Sequence, residues 1–321
     1  MEAIAVSKLR KSYGLLEAVR GIDFSVEAGE IFGFLGPNGA GKTTTINMLC
    51  TLLAPSSGAA RVAGFDIARE RDRVRRSIGI VFQDPALDDR LSALENLRFH
   101  GWIYDVPSSQ LSGRIDRALE LVGLSERRKD LVKTFSGGMK RRLEIARSTL
   151  HTPKVLFLDE PTIGLDPQTR ARIWGFLHEM RKKEGTTLFL TTHYMEEAEN
   201  CDRLAIIDRG EIAALDTPAR LKAEIGGDTV LIETENNAEA LKEIEGSFGL
   251  IAKEEENGLN LVVESGSTFL PELFRKLKVP VKHVSICSPS LEDVFLRVTG
   301  KAIRQEAAES SFARHRRRRR R

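Results

Sequence analysis

The eight residues Gly36-Pro37-Asn38-Gly39-Ala40-Gly41-Lys42-Thr43 constrain this chain more than any other stretch. They match the pattern GxxxxGK[ST] and follow the apolar run Ile31–Leu35. Glycines let a backbone wrap around phosphate with its N–H groups pointing inward, and a helix beginning near Lys42 adds its positive dipole end. Lys42 is then placed for the β- and γ-phosphates of a nucleotide, and the Thr43 hydroxyl for Mg2+. Thr44 continues the same turn and joins the candidate binding set. The plain alternative is a glycine-rich turn that opens a helix. The apolar strand before it argues against that.

A second constellation lies downstream. Val155-Leu156-Phe157-Leu158 is an apolar strand ending in Asp159 and Glu160. Paired acids after a strand are often a solvated strand end. Downstream of a phosphate loop they acquire roles: Asp159 holds Mg2+, directly or through water, and Glu160 orients and polarises an attacking water.

Apolar strands alternate with amphipathic helices through the first two thirds of the chain. Ala3–Leu9, Ile22–Val26, Ile31–Leu35, Ile78–Phe82, Val155–Leu158, Leu188–Thr191 and Leu204–Ile207 read as strands, several apolar throughout and so buried on both faces. Residues 84–151 are mostly helical in pattern. The expected class is an α/β nucleotide-binding core over 1–222 with a helical insertion. Over 228–300 the order becomes βαββαβ, that of a small ferredoxin-like α+β unit, with Glu256-Asn257-Gly258 as a hairpin turn. A short helix is expected from Pro289, and residues 301–321 are expected to be a disordered basic tail.

Phe135-Ser136-Gly137-Gly138-Met139-Lys140-Arg141-Arg142 resembles the LSGGQ signature of ABC ATPases, about two dozen residues before the acidic pair. Ser136 is a good helix N-cap, and its hydroxyl, the glycine N–H groups and the helix dipole make an anion site. The other motifs of that family occur in order. The resemblance implies that Tyr13 stacks on adenine and that Gln83 forms the Q-loop, sensing Mg2+ and linking to a membrane partner. It implies further that Gly164-Leu165-Asp166 is the D-loop and His193 the switch histidine. It covers residues 3–222. The nucleotide-binding set is thus Tyr13, residues 36–44, Ser136, Gly137, Gly138, Met139 and Asp166. The catalytic set is Glu160, His193 and Gln83; the metal set is Thr43, Gln83 and Asp159.

Three positions depart from the commonest family pattern: Met139 for Gln, Phe135 for Leu, and Ile163 before Gly164. With Ser290-Leu291-Glu292-Asp293-Val294-Phe295-Leu296, they resemble the daunorubicin-resistance type of drug-export subunit. The resemblance implies ATP and Mg2+ as cofactors, a head-to-tail homodimer with each ATP between a phosphate loop and the partner's signature, and a separate permease. Such a subunit lies on the cytoplasmic side of the membrane. Related subunits move sodium, haem, lipid or oligosaccharide, and other ABC ATPases move no solute.

Composition narrows the rest. Hydrophobic residues are 41% and charged residues 30%, ordinary for a soluble globular chain. No run of about 18–20 apolar residues occurs, and the N-terminus does not read as a secretory signal. Three scattered cysteines form neither a disulfide framework nor a metal pattern. The formal net charge is +3, yet Arg314 and Arg316–Arg321 supply seven positive charges; the remainder stands at −4. A body that is mildly acidic gives no reason to expect nucleic-acid binding. The arginine tail reads as a solvated end, a contact for anionic lipid headgroups, or a nucleic-acid contact.

Overall fold

The computed structural model describes residues 1–84, 86–255 and 258–300. Two compact units divide between Leu215 and Asp216.

In the first unit, β1 (Glu2–Tyr13) and β2 (Leu16–Glu27) form a hairpin that closes at the pair Tyr13↔Leu16. These strands run beyond the apolar alternation that announces them, because pairing carries the polar ends along. β3 (Ile31–Leu35) leads through the glycine loop into α1 (Lys42–Leu49). β4 (Ser57–Val62) and β5 (Phe65–Asp66) complete an antiparallel sheet in the order β2-β1-β4-β5. β4 is largely small and exposed, so no sequence pattern reveals it; its pairing with β1 makes it a strand.

The chain continues through α2 (Arg71–Ser77) and β6 (Ile78–Val81) into the helical stretch α3 (Ala93–Ile103), α4 (Ser108–Leu121) and α5 (Gly137–Thr149). Then come β7 (Val155–Asp159), α6 (Pro167–Glu184), β8 (Thr187–Thr192), α7 (Met195–Ala198), β9 (Arg203–Asp208) and β10 (Glu211–Asp216). The second sheet has the order β10-β9-β3-β8-β7-β6, and β9, β3, β8, β7 and β6 pair in parallel. β3, β7 and β8 are buried at every position, as parallel strands covered on both faces must be. Phe24, Phe32, Phe34, Phe157 and Phe189 pack ring to ring on one face, with centroids 5.4–6.0 Å apart. Each such ring stabilises the core by about 1.5–3 kcal/mol.

Strand register positions the site. Leu35 pairs with Thr192, Thr191 with Asp159, and Leu158 with Val81. The carboxyl ends of β3, β8, β7 and β6 therefore finish side by side, the edge where open parallel sheets bind ligands.

The second unit opens with α8 (Pro218–Ile225), followed by β11 (Asp228–Thr234), α9 (Asn237–Phe248), β12 (Ala252–Glu255), β13 (Gly258–Val263), α10 (Gly266–Lys276), β14 (Val281–Cys287) and α11 (Leu291–Thr299). Its sheet order is β12-β13-β11-β14 with every pair antiparallel, which is the ferredoxin-like arrangement expected from βαββαβ. α8 packs against α11. The turn residues Glu256 and Asn257 and the basic tail lie outside the described residues.

Candidate active site

The glycine loop is shaped by close approach. A Cβ on Gly36 would lie 2.4 Å from the Ile207 carbonyl oxygen, and one on Gly41 would lie 2.6 Å from that of Ala18. Gly41 also takes φ 108, a conformation that side chains resist. Within the loop, Ala40 is buried while Asn38 and Gly39 face solvent. Thr43 is exposed and Thr44 half-buried at the helix start.

Lys42 is only 5% exposed, so its ammonium must be paired. Its Nζ donates to the Gly36 carbonyl at 2.7 Å and the Pro37 carbonyl at 3.1 Å, and lies 3.5 Å from Glu160 Oε1. Burial lowers the Lys42 pKa, while the carboxylates of Glu160 and Asp159 oppose that shift. From the next strand, His193 Nδ1 comes within 3.3 Å of the same Glu160 oxygen. Burial pushes the Glu160 carboxyl up, but His193 and Lys42 outweigh it and hold the pKa below the ordinary value. Glu160 is therefore a carboxylate at neutral pH, as a group that polarises water must be.

Asp159 is buried, and its Oδ1 accepts from Thr43 Oγ1 at 3.3 Å and Thr191 Oγ1 at 2.5 Å. Thr43 and Asp159 bring hard oxygen donors together beside the lysine, a donor set that suits Mg2+. The structure thus unites Lys42, Thr43, Asp159, Glu160 and His193.

Beyond the glycine loop, whose Gly36 and Pro37 carbonyls bind Lys42, the remaining predicted residues share no hydrogen bond or ion pair with that cluster among the described residues. Ser136 N-caps α5, its Oγ accepting from Met139 N at 3.2 Å. Gly137 has open space around its Cα, while a Cβ on Gly138 would meet Thr169 Cγ2 at 2.7 Å. Met139 packs against the core of the helical segment, beside buried Phe135. Asp166 caps α6, accepting from Thr169 N at 2.9 Å and Thr169 Oγ1 at 2.6 Å. Among the described residues, no hydrogen bond or ion pair links Ser136, Gly137 or Gly138 to the Lys42 cluster. Gln83 is exposed just beyond β6, and Tyr13 is half-exposed at the end of β1 with Lys11 Nζ 5.3 Å from its ring.

Sequence reasoning passed over three residues of this neighbourhood. Thr191 accepts from Glu160 N at 3.1 Å as well as bonding Asp159; a polar residue ending an apolar strand was the available signal. Glu197 is buried and accepts from the Thr162 hydroxyl. Burial raises its pKa to about 7, against a hydrogen bond from Thr192 and the charge of Arg170. Arg141 is buried behind the acidic pair; its position on the buried stripe of α5 was the signal.

Two family models match the chain. "ABC transporter" covers residues 19–163, and "ATP-binding protein DrrA1-3-like, C-terminal domain" covers residues 217–299. The chain is 39% identical to the linearmycin resistance ATP-binding protein LnrL of Bacillus subtilis, across 94% of this chain and 99% of that protein. It is 40% identical to the daunorubicin/doxorubicin resistance ATP-binding protein DrrA of Streptomyces peucetius, across 93% and 92%. Among solved structures it resembles a dimeric ATP-binding cassette in a post-hydrolysis state bound to ADP and Pi. That match has a TM-score of 0.61 and 25% identity, over 67% of this chain and 98% of that one.

Proposed function

This chain belongs to the ATP-binding, ATP-hydrolysing subunits of ABC transporters, and we propose that it drives export of a drug or similar hydrophobic compound through a separate permease. The observation that carries the reading is the convergence of Lys42, Glu160 and His193 at the ends of three neighbouring parallel strands. The resistance proteins it resembles along nearly its whole length support the export direction.

In this reading, the loop N–H groups and Lys42 hold the β- and γ-phosphates, and Tyr13 stacks on adenine. Thr43, Asp159 and Gln83 would hold Mg2+, which supplies charge neutralisation at the phosphates. Glu160, ionised and held by His193, orients water for attack on the γ-phosphate, and His193 contacts that phosphate from the other side. Ser136, Gly137, Gly138 and the Met139 N–H lie on a helix start that fits an anion. They make no hydrogen bond or ion pair with the Lys42 cluster among the described residues; in this reading they cap the ATP of a second copy, with Asp166 at the same junction. ATP then joins two head-to-tail subunits, and hydrolysis releases them.

The permease docks beside Gln83. Phe99, Trp102 and Ile103 are more than half exposed along one stripe of α3, an apolar face suited to a partner. No helix among the described residues is long and apolar enough to cross a membrane, and the subunit works from the cytoplasmic face. The arginine tail has the charge to contact anionic headgroups there, at about 1 kcal/mol per basic residue.

Affinity purification of the tagged chain from its native membranes tests the transport reading. A hydrophobic polytopic protein should co-purify. Recovery of ribosomes or DNA in its place would favour a soluble ABC ATPase that moves no solute.

A further inference from the structure

The helix that begins at Ser136 reaches back into its own subunit's hydrolytic site. Arg141, Glu144 and Ser148 occupy the buried stripe of α5. The Arg141 guanidinium fans out to three backbone carbonyls: Nη2 donates to Asp159 O at 2.8 Å, Nε to Pro161 O at 2.6 Å, and Nη1 to Phe82 O. Asp159 and Pro161 are the two neighbours of Glu160. Phe82 immediately precedes Gln83.

Glu160 itself sits at φ 46, the left-handed region that a non-glycine residue occupies only when its surroundings enforce it. Its N–H is held by Thr191, to O at 3.2 Å and to Oγ1 at 3.1 Å. Arg141 pins the carbonyls on both flanks. The same helix grips the segment after Gln83: Glu144 accepts from Ala86 N at 2.5 Å, and Arg147 donates to Ala86 O at 2.7 Å. Glu144 also pairs with Arg141 at 3.5 Å and Arg147 at 3.4 Å. A planar guanidinium can bridge carbonyls from two separate strand ends; an ammonium gathers its three donors on one atom and lacks that span, and an amide has only two donors.

We infer that Arg141 is a positioning residue for hydrolysis: it sets the backbone of Glu160 and locks it to the strand end that carries Gln83. The inference rests on the assignment of Glu160 to the hydrolytic step. It makes α5 a rigid link between the Ser136 end, which faces a second subunit, and the acidic pair of its own.

The test compares Arg141→Lys and Arg141→Gln with Arg142→Gln in the full chain. Arg142 is the adjacent arginine, whose Nη1 donates to Val122 O at 2.7 Å, away from the site. Steady-state ATPase is measured together with affinity for a fluorescent ATP analogue. Misplacement of a catalytic group by about 1 Å lowers turnover about 100-fold. Both Arg141 variants should therefore lose kcat by about 10- to 100-fold while binding the analogue within about twofold of wild type. Arg142→Gln should keep its kcat. Unchanged kcat in the Arg141 variants would overturn the inference. So would a loss of analogue binding as large as the loss of turnover, or an equal loss of turnover in Arg142→Gln. If Arg141→Gln does not fold, Arg141→Lys decides on the same criteria. A wild-type chain without ATPase activity would remove the hydrolytic reading itself, and this inference with it.

Discussion

Glu160 receives opposite instructions from its surroundings. Burial favours its neutral form, whereas His193 and Lys42, both aimed at the same carboxylate oxygen, favour the charged one and prevail. A carboxylate held this way can polarise water but cannot supply a proton at neutral pH. Glu160→Gln keeps the side chain's size and loses that charge. It should lower ATP turnover by about 100- to 10,000-fold and leave an ATP-bound dimer stable on size-exclusion chromatography. Full ATPase activity in the variant would take Glu160 out of the role assigned to it. Lys42, Asp159 and Glu160 were legible beforehand because their chemistry fixes their spacing along the chain. Arg141, Thr191 and Glu197 were not, since each acts on a backbone or side chain distant in sequence. An arginine on the buried stripe of an amphipathic helix can be noticed from its position, but its partners are seen only in the fold.

Among the elements, those with a strong local signal were readable: the apolar parallel strands, the helix after the glycine loop, and the βαββαβ order of the second unit. β4 was not, because small exposed residues acquire a strand's conformation only from their neighbour β1. The segment 290–296 shows how a family motif can have a local physical basis. Ser290 Oγ accepts from Asp293 N at 3.2 Å, and Asp293 Oδ2 accepts from Ser290 N at 2.9 Å, a capping box that starts α11. Leu291, Val294 and Phe295 are buried, and Arg297 donates to the final carbonyls of α8, Glu224 O at 2.8 Å and Ile225 O at 2.9 Å. Ser290→Ala should weaken α11 by about 1 kcal/mol, visible as faster amide hydrogen exchange there, with ATPase activity retained. Unaltered exchange along α11 would show that tertiary packing, not the cap, sets its stability.

At the scale of the whole molecule, the proposed head-to-tail pair assigns the site built from β3, β7 and β8 and the helix start at Ser136 to different copies of the chain. Lys42→Ala and Ser136→Ala variants should each hydrolyse ATP poorly alone, by about 100-fold or more. Mixing them in equal amounts should restore up to about a quarter of the wild-type rate, because about half the pairs are then mixed and each mixed head-to-tail pair has one of its two sites free of both substitutions. Mixed dimers that form yet stay inactive would rule out that arrangement. The sequence by itself determined the fold class, the phosphate loop, the acidic pair and the order of the family motifs. Each of these depends on local spacing or on strand and helix periodicity, which a linear pattern records. The tertiary structure alone decided that His193 and Lys42 share one oxygen of Glu160. It alone decided that Met139 turns toward the helical core and that Arg141 binds carbonyls from two strand ends. Those outcomes follow from strand register and helix packing, which bring together residues whose separation along the chain carries no signal.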